Sequence, residues 1–161
     1  MSLSRLREFL DSRNTEYFVI SHSLAYTAQG IAALAHIPGQ ELTKTVMVKL
    51  DNQLAMAVVP ASRHVNLSLL RSAAGATTAS LASEWEFKDR FPDCEVGSMP
   101  PFGNLYGMKV FADESLALDQ EIAFNAGTHR ELVRMSWEDY VALAEPKIAK
   151  LAEGKAAERA A

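Results

Sequence analysis

Two short segments of this 161-residue chain place residues where chemistry could be done. The first is Glu41-Leu42-Thr43-Lys44-Thr45-Val46-Met47-Val48-Lys49, in which Lys44 opens an otherwise apolar strand. A lysine there either projects from a sheet end into a cleft, as a compact point charge for phosphate or polar substrate groups, or is a solvated strand-end side chain. The second is Gly97-Ser98-Met99-Pro100-Pro101-Phe102-Gly103. Two prolines stiffen this loop and the flanking glycines allow backbone angles that other residues avoid. Such a loop can fix main-chain N–H groups so that they polarise an ester carbonyl and stabilise an oxyanion. It can equally be a rigid connector between helix and strand. Ser98 can donate a hydrogen bond, but a nucleophilic serine needs a base, and the sequence places none beside it.

Other chemistries lack their residues. There is no Gly-x-x-x-x-Gly-Lys-Ser/Thr loop and no Gly-x-Gly-x-x-Gly turn, so nucleotide cradling is unsupported. The four histidines show no i,i+4 pairing and no nearby cysteine pair, so neither metal nor cofactor is expected. Without a Gly-x-Ser-x-Gly elbow, a hydrolase built from this chain would use neither metal nor serine triad. His22, between a strand and a helix, either faces the pocket or is an ordinary surface or core histidine. His129 lies beside the turn Gly127-Thr128 and has the same two readings. Trp85, Trp137 and Tyr140 fall on predicted helices and are assigned to the core. Cys94 is assigned as a small buried side chain.

The elements that must position these residues follow from periodicity. Leu3, Leu6, Phe9 and Leu10 form one helical stripe, with Ser2 or Ser4 as cap. Tyr17–Ile20 is a short strand, and the alanine-rich Thr27–His36 a helix ending at Pro38-Gly39. Lys44–Leu50 and Gln53–Pro60 form a hairpin about Asp51-Asn52. Asn66 caps a helix that runs to Ala74 and ends at Gly75. Ser83-Glu84-Trp85-Glu86 is a capping box for a helix that stops near Pro92. Tyr106–Ala112 and Glu121–Ala126 are strands, and Glu131–Met135 pairs with the latter across Gly127-Thr128. Ser136 opens a last helix, which Pro146 kinks or restarts. Interleaved helices and hairpins predict a mixed α/β fold, with a central, partly antiparallel sheet surrounded by helices. Residues 1–153 are expected to form one domain and 154–161 a frayed tail.

Composition sets the remaining bounds. A hydrophobic fraction of 48% with 22% charged residues describes a folded globular chain. One cysteine, no signal-peptide pattern and no apolar run of about 20 residues predict a cytoplasmic protein with no membrane partner. The net charge of −4 argues weakly against nucleic acid. Yet residues 1–110 carry 10 of the 16 Lys/Arg and 10 of the 20 Asp/Glu, so the excess acid lies in the last third. A basic face near Lys44, Lys49, Arg63, Arg71 and Lys109 is therefore open, and gripping only an RNA end needs few phosphate contacts.

Together these segments resemble the YbaK/ProX family, the editing domain associated with aminoacyl-tRNA synthetases. The match rests on Tyr26-Thr27-Ala28-Gln29 before the alanine-rich helix, Leu42-Thr43-Lys44-Thr45-Val46, the Gly97–Gly103 loop as a Gly-x-x-x-Pro loop, and Asn125-Ala126-Gly127-Thr128-His129. It spans roughly residues 15–145. The resemblance implies a hydrolase that cleaves the ester of mischarged aminoacyl-tRNA, with Ala- or Cys-tRNA(Pro) as the family's substrates. Carried over by position, Lys44, Gly97 and Ser98 are the catalytic candidates. His22, Tyr26, Thr27, Met99, Pro100, Pro101, Gly127, Thr128 and His129 are the substrate-binding candidates. Gln29 stands where many members carry an acidic residue. The implied partners are the 3′ end of mischarged tRNA and prolyl-tRNA synthetase, not DNA, with the chain a monomer or weak homodimer. Two other classes stay open: a module that binds the aminoacyl or nucleotide group without cleaving it, and a regulatory domain with an exposed apolar patch.

Overall fold

The computed structural model describes residues 2–21, 42–95 and 97–153. It opens with α1 (Ser2–Ser12) and β1 (Tyr17–Ser21). The leucine spacing acts as expected: Leu6 and Leu10, one turn apart, are both fully buried.

The hairpin of β2 (Thr43–Leu50) and β3 (Gln53–Pro60) is paired along its whole length, from Thr43↔Pro60 to Leu50↔Gln53. Asp51 and Asn52 take left-handed angles, φ 50° and 69°, which match a two-residue turn to the twist of its strands. The Asp51 carboxylate then accepts the N–H groups of Thr78 and Thr77, which hold its pKa below the ordinary value.

After β4 (His64–Val65) comes α2 (Leu67–Ala74). The Asn66 side chain accepts the N–H of Leu69 at 3.0 Å, and Gly75 ends the helix at φ 65°. Then follow β5 (Ala79–Leu81) and the single turn α3 (Glu84–Phe87), where the N–H of Ser83 donates to Glu86 Oε1 at 2.7 Å. The later elements are β6 (Lys109–Asp113), β7 (Glu121–Asn125), β8 (Glu131–Ser136), α4 (Trp137–Ala144), β9 (Lys147–Ala149) and β10 (Ala152–Glu153). Ser136 caps α4 by accepting the N–H of Asp139.

The fold is mixed α/β. A five-stranded sheet has the order β5-β2-β3-β6-β9, antiparallel through β5, β2 and β3 and parallel through β3, β6 and β9. A three-stranded antiparallel sheet has the order β1-β8-β7. The parallel bridge Leu42–Ala123 and the bond from Thr43 Oγ1 to Ala123 O join β2 to β7. Side chains alternate between two cores. Met47, Met56 and Val58 face Leu6, Leu10, Phe102, Phe124 and Tyr140. Val48, Ala57 and Val59 face Leu70 of α2, Phe111 and Leu151.

Three expectations change. The strand expected from Tyr106 begins at Lys109, because Gly107 turns at φ 69°. Gly103 packs so closely on this turn that a Cβ would stand 2.6 Å from Met108 O. Pro146 neither kinks nor restarts a helix. Glu145 ends α4 at φ 49°, and the following residues pair with β6 as β9; the residue before a proline disfavours the helical region. Trp85 is 79% exposed rather than in the core, because α3 is a single turn; the Lys88 ammonium lies 3.9 Å from its ring centroid.

Asp113, 1% exposed, fastens the end of β6 to the last strands. Its Oδ1 accepts the N–H groups of Leu151 and Ala152 at 2.8 and 2.9 Å. Its Oδ2 accepts the N–H and hydroxyl of Ser115. Asp113→Asn keeps the shape but turns an NH2 group toward donors. The variant is expected to lose about 2 kcal/mol of stability in urea titration, since hydrogen bonds to charged groups contribute about 1.5–3 kcal/mol. A loss under about 0.5 kcal/mol, the size of an ordinary surface change, would refute this role.

Candidate active site

Two loops far apart in sequence are bonded together. The N–H of Glu95 donates to Gly127 O, and that of Gly127 to Ser98 O, both at 2.8 Å. The Glu95 carboxylate accepts the N–H of His129 at 2.7 Å. Gly97 and Gly127 turn at φ 87° and 101°, angles that favour glycine. A Cβ on Gly97 would meet the His129 ring at 3.5 Å, an ordinary contact, so the backbone angle is the constraint there rather than space. The structure thus gathers Gly97, Ser98, Gly127, Thr128 and His129, the last only 7% exposed.

Each of these residues is held by particular bonds. The buried Ser98 donates both its hydroxyl, at 2.7 Å, and its N–H, at 3.1 Å, to Glu95 O. Its hydroxyl therefore holds the turn. Met99, Pro100 and Pro101 of the loop are buried, and Met99 packs in the core with Phe102. Pro101 O accepts the hydroxyl of Tyr140 at 2.8 Å. Thr128 donates its hydroxyl to Glu131 Oε1 at 3.1 Å and accepts the N–H of Arg130. Cys94 is half-buried, with its sulfur 3.5 Å from Tyr106 Oη.

Lys44 enters from β2. It pairs with Val59 and shares a face with Val46 and Val48. It is half-buried, and desolvation lowers its pKa from 10.5. The isolated parallel bridge Leu42–Ala123 brings the start of β2 beside β7, with Lys44 two residues after Leu42 and Asn125 two residues after Ala123. Two residues beyond Asn125 is Gly127, bonded to Ser98. Asn125 Oδ1 is buried and accepts no hydrogen bond among the described residues. His22, Tyr26, Thr27, Gln29 and the helix expected at Thr27–His36 lie outside the described residues, as does the tail 154–161.

Glu95 and Asn125 escaped sequence reasoning as individual site residues. Glu95 looks like a solvated loop charge until residue 129 is brought to it. The basic face expected from five residues divides: Lys44 and Arg63 lie at one end of the sheet, Lys49 and Lys109 at the other, and Arg71 lies in the last turn of α2. Lys49 is paired with Glu86 at 2.5 Å. No group of three or more potential metal ligands occurs among the described residues.

Residues 22–143 match the family described as the aminoacyl-tRNA editing domain. The "Multifunctional Ser/Thr-tRNA deacylase ProXp-y" of Escherichia coli (strain K12) is 30% identical over 149 residues, covering 89% of each chain. A "Proline--tRNA ligase" of Bacillus cereus (strain AH187) is 30% identical over 87 residues, 54% of this chain and 15% of that protein. Among solved structures, hypothetical protein APE2540 superposes with a TM-score of 0.84 at 20% identity, covering 92% of this chain and 99% of that one. A candidate trans-editing enzyme for prolyl tRNA synthetase superposes with 0.81 at 21%, covering 95% and 98%.

Proposed function

Since the chain belongs to the aminoacyl-tRNA editing domain family and is an aminoacyl-tRNA deacylase, we propose that it edits tRNA(Pro) mischarged with alanine or cysteine. What supports this reading is the bonding of the Gly97–Ser98 turn to Gly127–His129, which follow β7, together with the bridge of β7 to Leu42 just before Lys44. Lys44 holds the terminal phosphate or a polar group of the aminoacyl-adenosine end as a point charge. The N–H of Ser98 is turned inward, so binding of the carbonyl oxygen falls to the N–H groups of Gly97 and Met99. Water attacks the carbonyl carbon, the ester C–O bond breaks, and the leaving ribose oxygen takes the proton. The hydroxyl beside the ester on the same ribose orients the water.

The E. coli relative named for Ser/Thr-tRNA supplies a second reading. Asn125 Oδ1, buried and without a donor among the described residues, is an acceptor that a seryl or threonyl hydroxyl would satisfy. Prolyl-tRNA synthetase is the partner this reading suggests, since a Proline--tRNA ligase carries a related segment. A cytoplasmic location goes with the reading; no described helix is long and apolar enough to cross a membrane.

The test is a panel of tRNA(Pro) charged with alanine, cysteine, serine, threonine and proline. Hydrolysis of alanyl or cysteinyl esters, with prolyl-tRNA spared, is expected. Faster hydrolysis of seryl and threonyl esters favours the second reading. Inertness toward every mischarged tRNA would leave the non-catalytic binding module.

A further inference from the structure

One end of the five-stranded sheet gathers the start of β2 and the ends of β3, β6 and β9. The C-terminal ends of parallel strands are where open α/β sheets receive ligands. Lys44 stands there on β2, Arg63 just beyond β3 and Lys150 just beyond β9.

Both of the outer cations sit on fixed backbone. The N–H of Arg63 donates to Pro60 O at 3.0 Å, and that of Ala61 to Leu42 O at 2.7 Å, two residues before Lys44. Lys150 precedes the Leu151 and Ala152 amides held by Asp113, and Leu151 O accepts the N–H of Asn66 at 2.7 Å. Arg63 and Lys150 together line two neighbouring cavities of about 380 and 560 Å³, with Ala152 shared between them. Neither makes an ion pair among the described residues. Glu114 lines the smaller cavity and Glu153 the larger. The Asp113 carboxylate is taken up by its four donors. Each cavity therefore offers two cations against one carboxylate not already engaged in this way.

We propose that Arg63 and Lys150 grip the phosphodiester backbone of the tRNA acceptor end, leading its terminal nucleotide to Lys44. The inference rests on the deacylase reading. Three strand steps of about 4.8 Å separate β2 from β9, a span of about 14 Å. A nucleic-acid strand, at about 3.4 Å rise per phosphate, lays several charges along it. The patch reconciles a net charge of −4 with a polyanionic ligand: Lys44, Arg63 and Lys150 stand at one end of the sheet, and a local field, not the net charge, meets the ligand there.

The test compares wild type with the Arg63→Gln/Lys150→Gln double variant. Binding of a labelled RNA hairpin ending in an unpaired 3′ CCA is followed by fluorescence anisotropy over a salt series. Loss of two phosphate contacts is expected to flatten the slope of log K against log salt by about 1.4 to 1.8. In deacylation assays the variant should show a raised KM and unchanged kcat on mischarged tRNA. On an aminoacyl-adenosine fragment without backbone phosphates it should match wild type. Arg63→Lys, which keeps the charge, should restore its share of the slope. An unchanged salt slope, or an equal loss on the fragment, would overturn the proposal. If wild type deacylates nothing, the parent reading fails, and the salt slopes still decide whether this patch binds RNA.

Discussion

Lys44→Ala is expected to lower kcat/KM for deacylation by about 10²–10³-fold, the usual cost of removing one preorganised electrostatic group from an active site. The expectation follows from where the amine sits. Lys44 is half-buried on β2 and makes no ion pair among the described residues. Its charge is therefore poorly screened and not shared with a carboxylate. Truncation removes no hydrogen bond that holds the fold, since Val59 opposes it through backbone pairing. Circular dichroism should show a folded variant, and single-turnover rates should carry the loss. The pH dependence adds a signature. Burial lowers the Lys44 pKa from 10.5, so on raising pH this amine loses its proton before an exposed lysine does. Activity that depends on its charge then declines on the alkaline side, earlier than an ordinary lysine would dictate. Lys44→Arg keeps its charge throughout and should remove that decline, whatever it costs in geometry. A Lys44→Ala enzyme with the wild-type rate would end any role for this amine in the reaction.

The parts of this fold legible in the sequence are those decided by neighbours in the chain. Asp51-Asn52 makes a turn because both residues tolerate left-handed angles. Asn66 and Gly75 bracket α2 because one supplies an acceptor and the other lacks a Cβ. Gly127-Thr128 turns β7 into β8 for the same kind of reason. What escaped was decided across the chain. Glu95 matters because a carboxylate reaches an amide 34 residues on. Lys150 joins Arg63 because β9 adds in parallel to β6, a pairing that the helical reading around Pro146 concealed. Trp85 was assigned to the core from its place on a helix, yet a helix of one turn has no second turn to bury it. The proline loop lies between these cases. Its stiffness was legible in Pro100 and Pro101, but its attachment to Tyr140 and Gly127 was not.

The other large effect is expected from the substrate rather than from the protein. Mischarged tRNA that lacks the hydroxyl beside the ester on its terminal ribose should be hydrolysed about 10²–10⁴-fold more slowly, the range a positioned proton-transfer group contributes. The Ser98 hydroxyl is donated to Glu95 O, which turns it from the role of nucleophile. The Glu95 carboxylate accepts the N–H of His129, so one of its oxygens serves the join between the loops. Lys44 is assigned the role of a cation, and a protonated amine accepts no proton. An aminoacyl ester is labile enough that fixing the water and polarising the carbonyl suffices, and the ribose hydroxyl is already within reach of both. The loss should fall on kcat, with the anisotropy-measured affinity for the RNA nearly unchanged, because backbone phosphates and not this hydroxyl would carry the binding. Hydrolysis undiminished by removal of the hydroxyl would pass the role to a side chain. His129→Ala is then the next variant, since its ring lies against Gly97 at the turn where the carbonyl would sit.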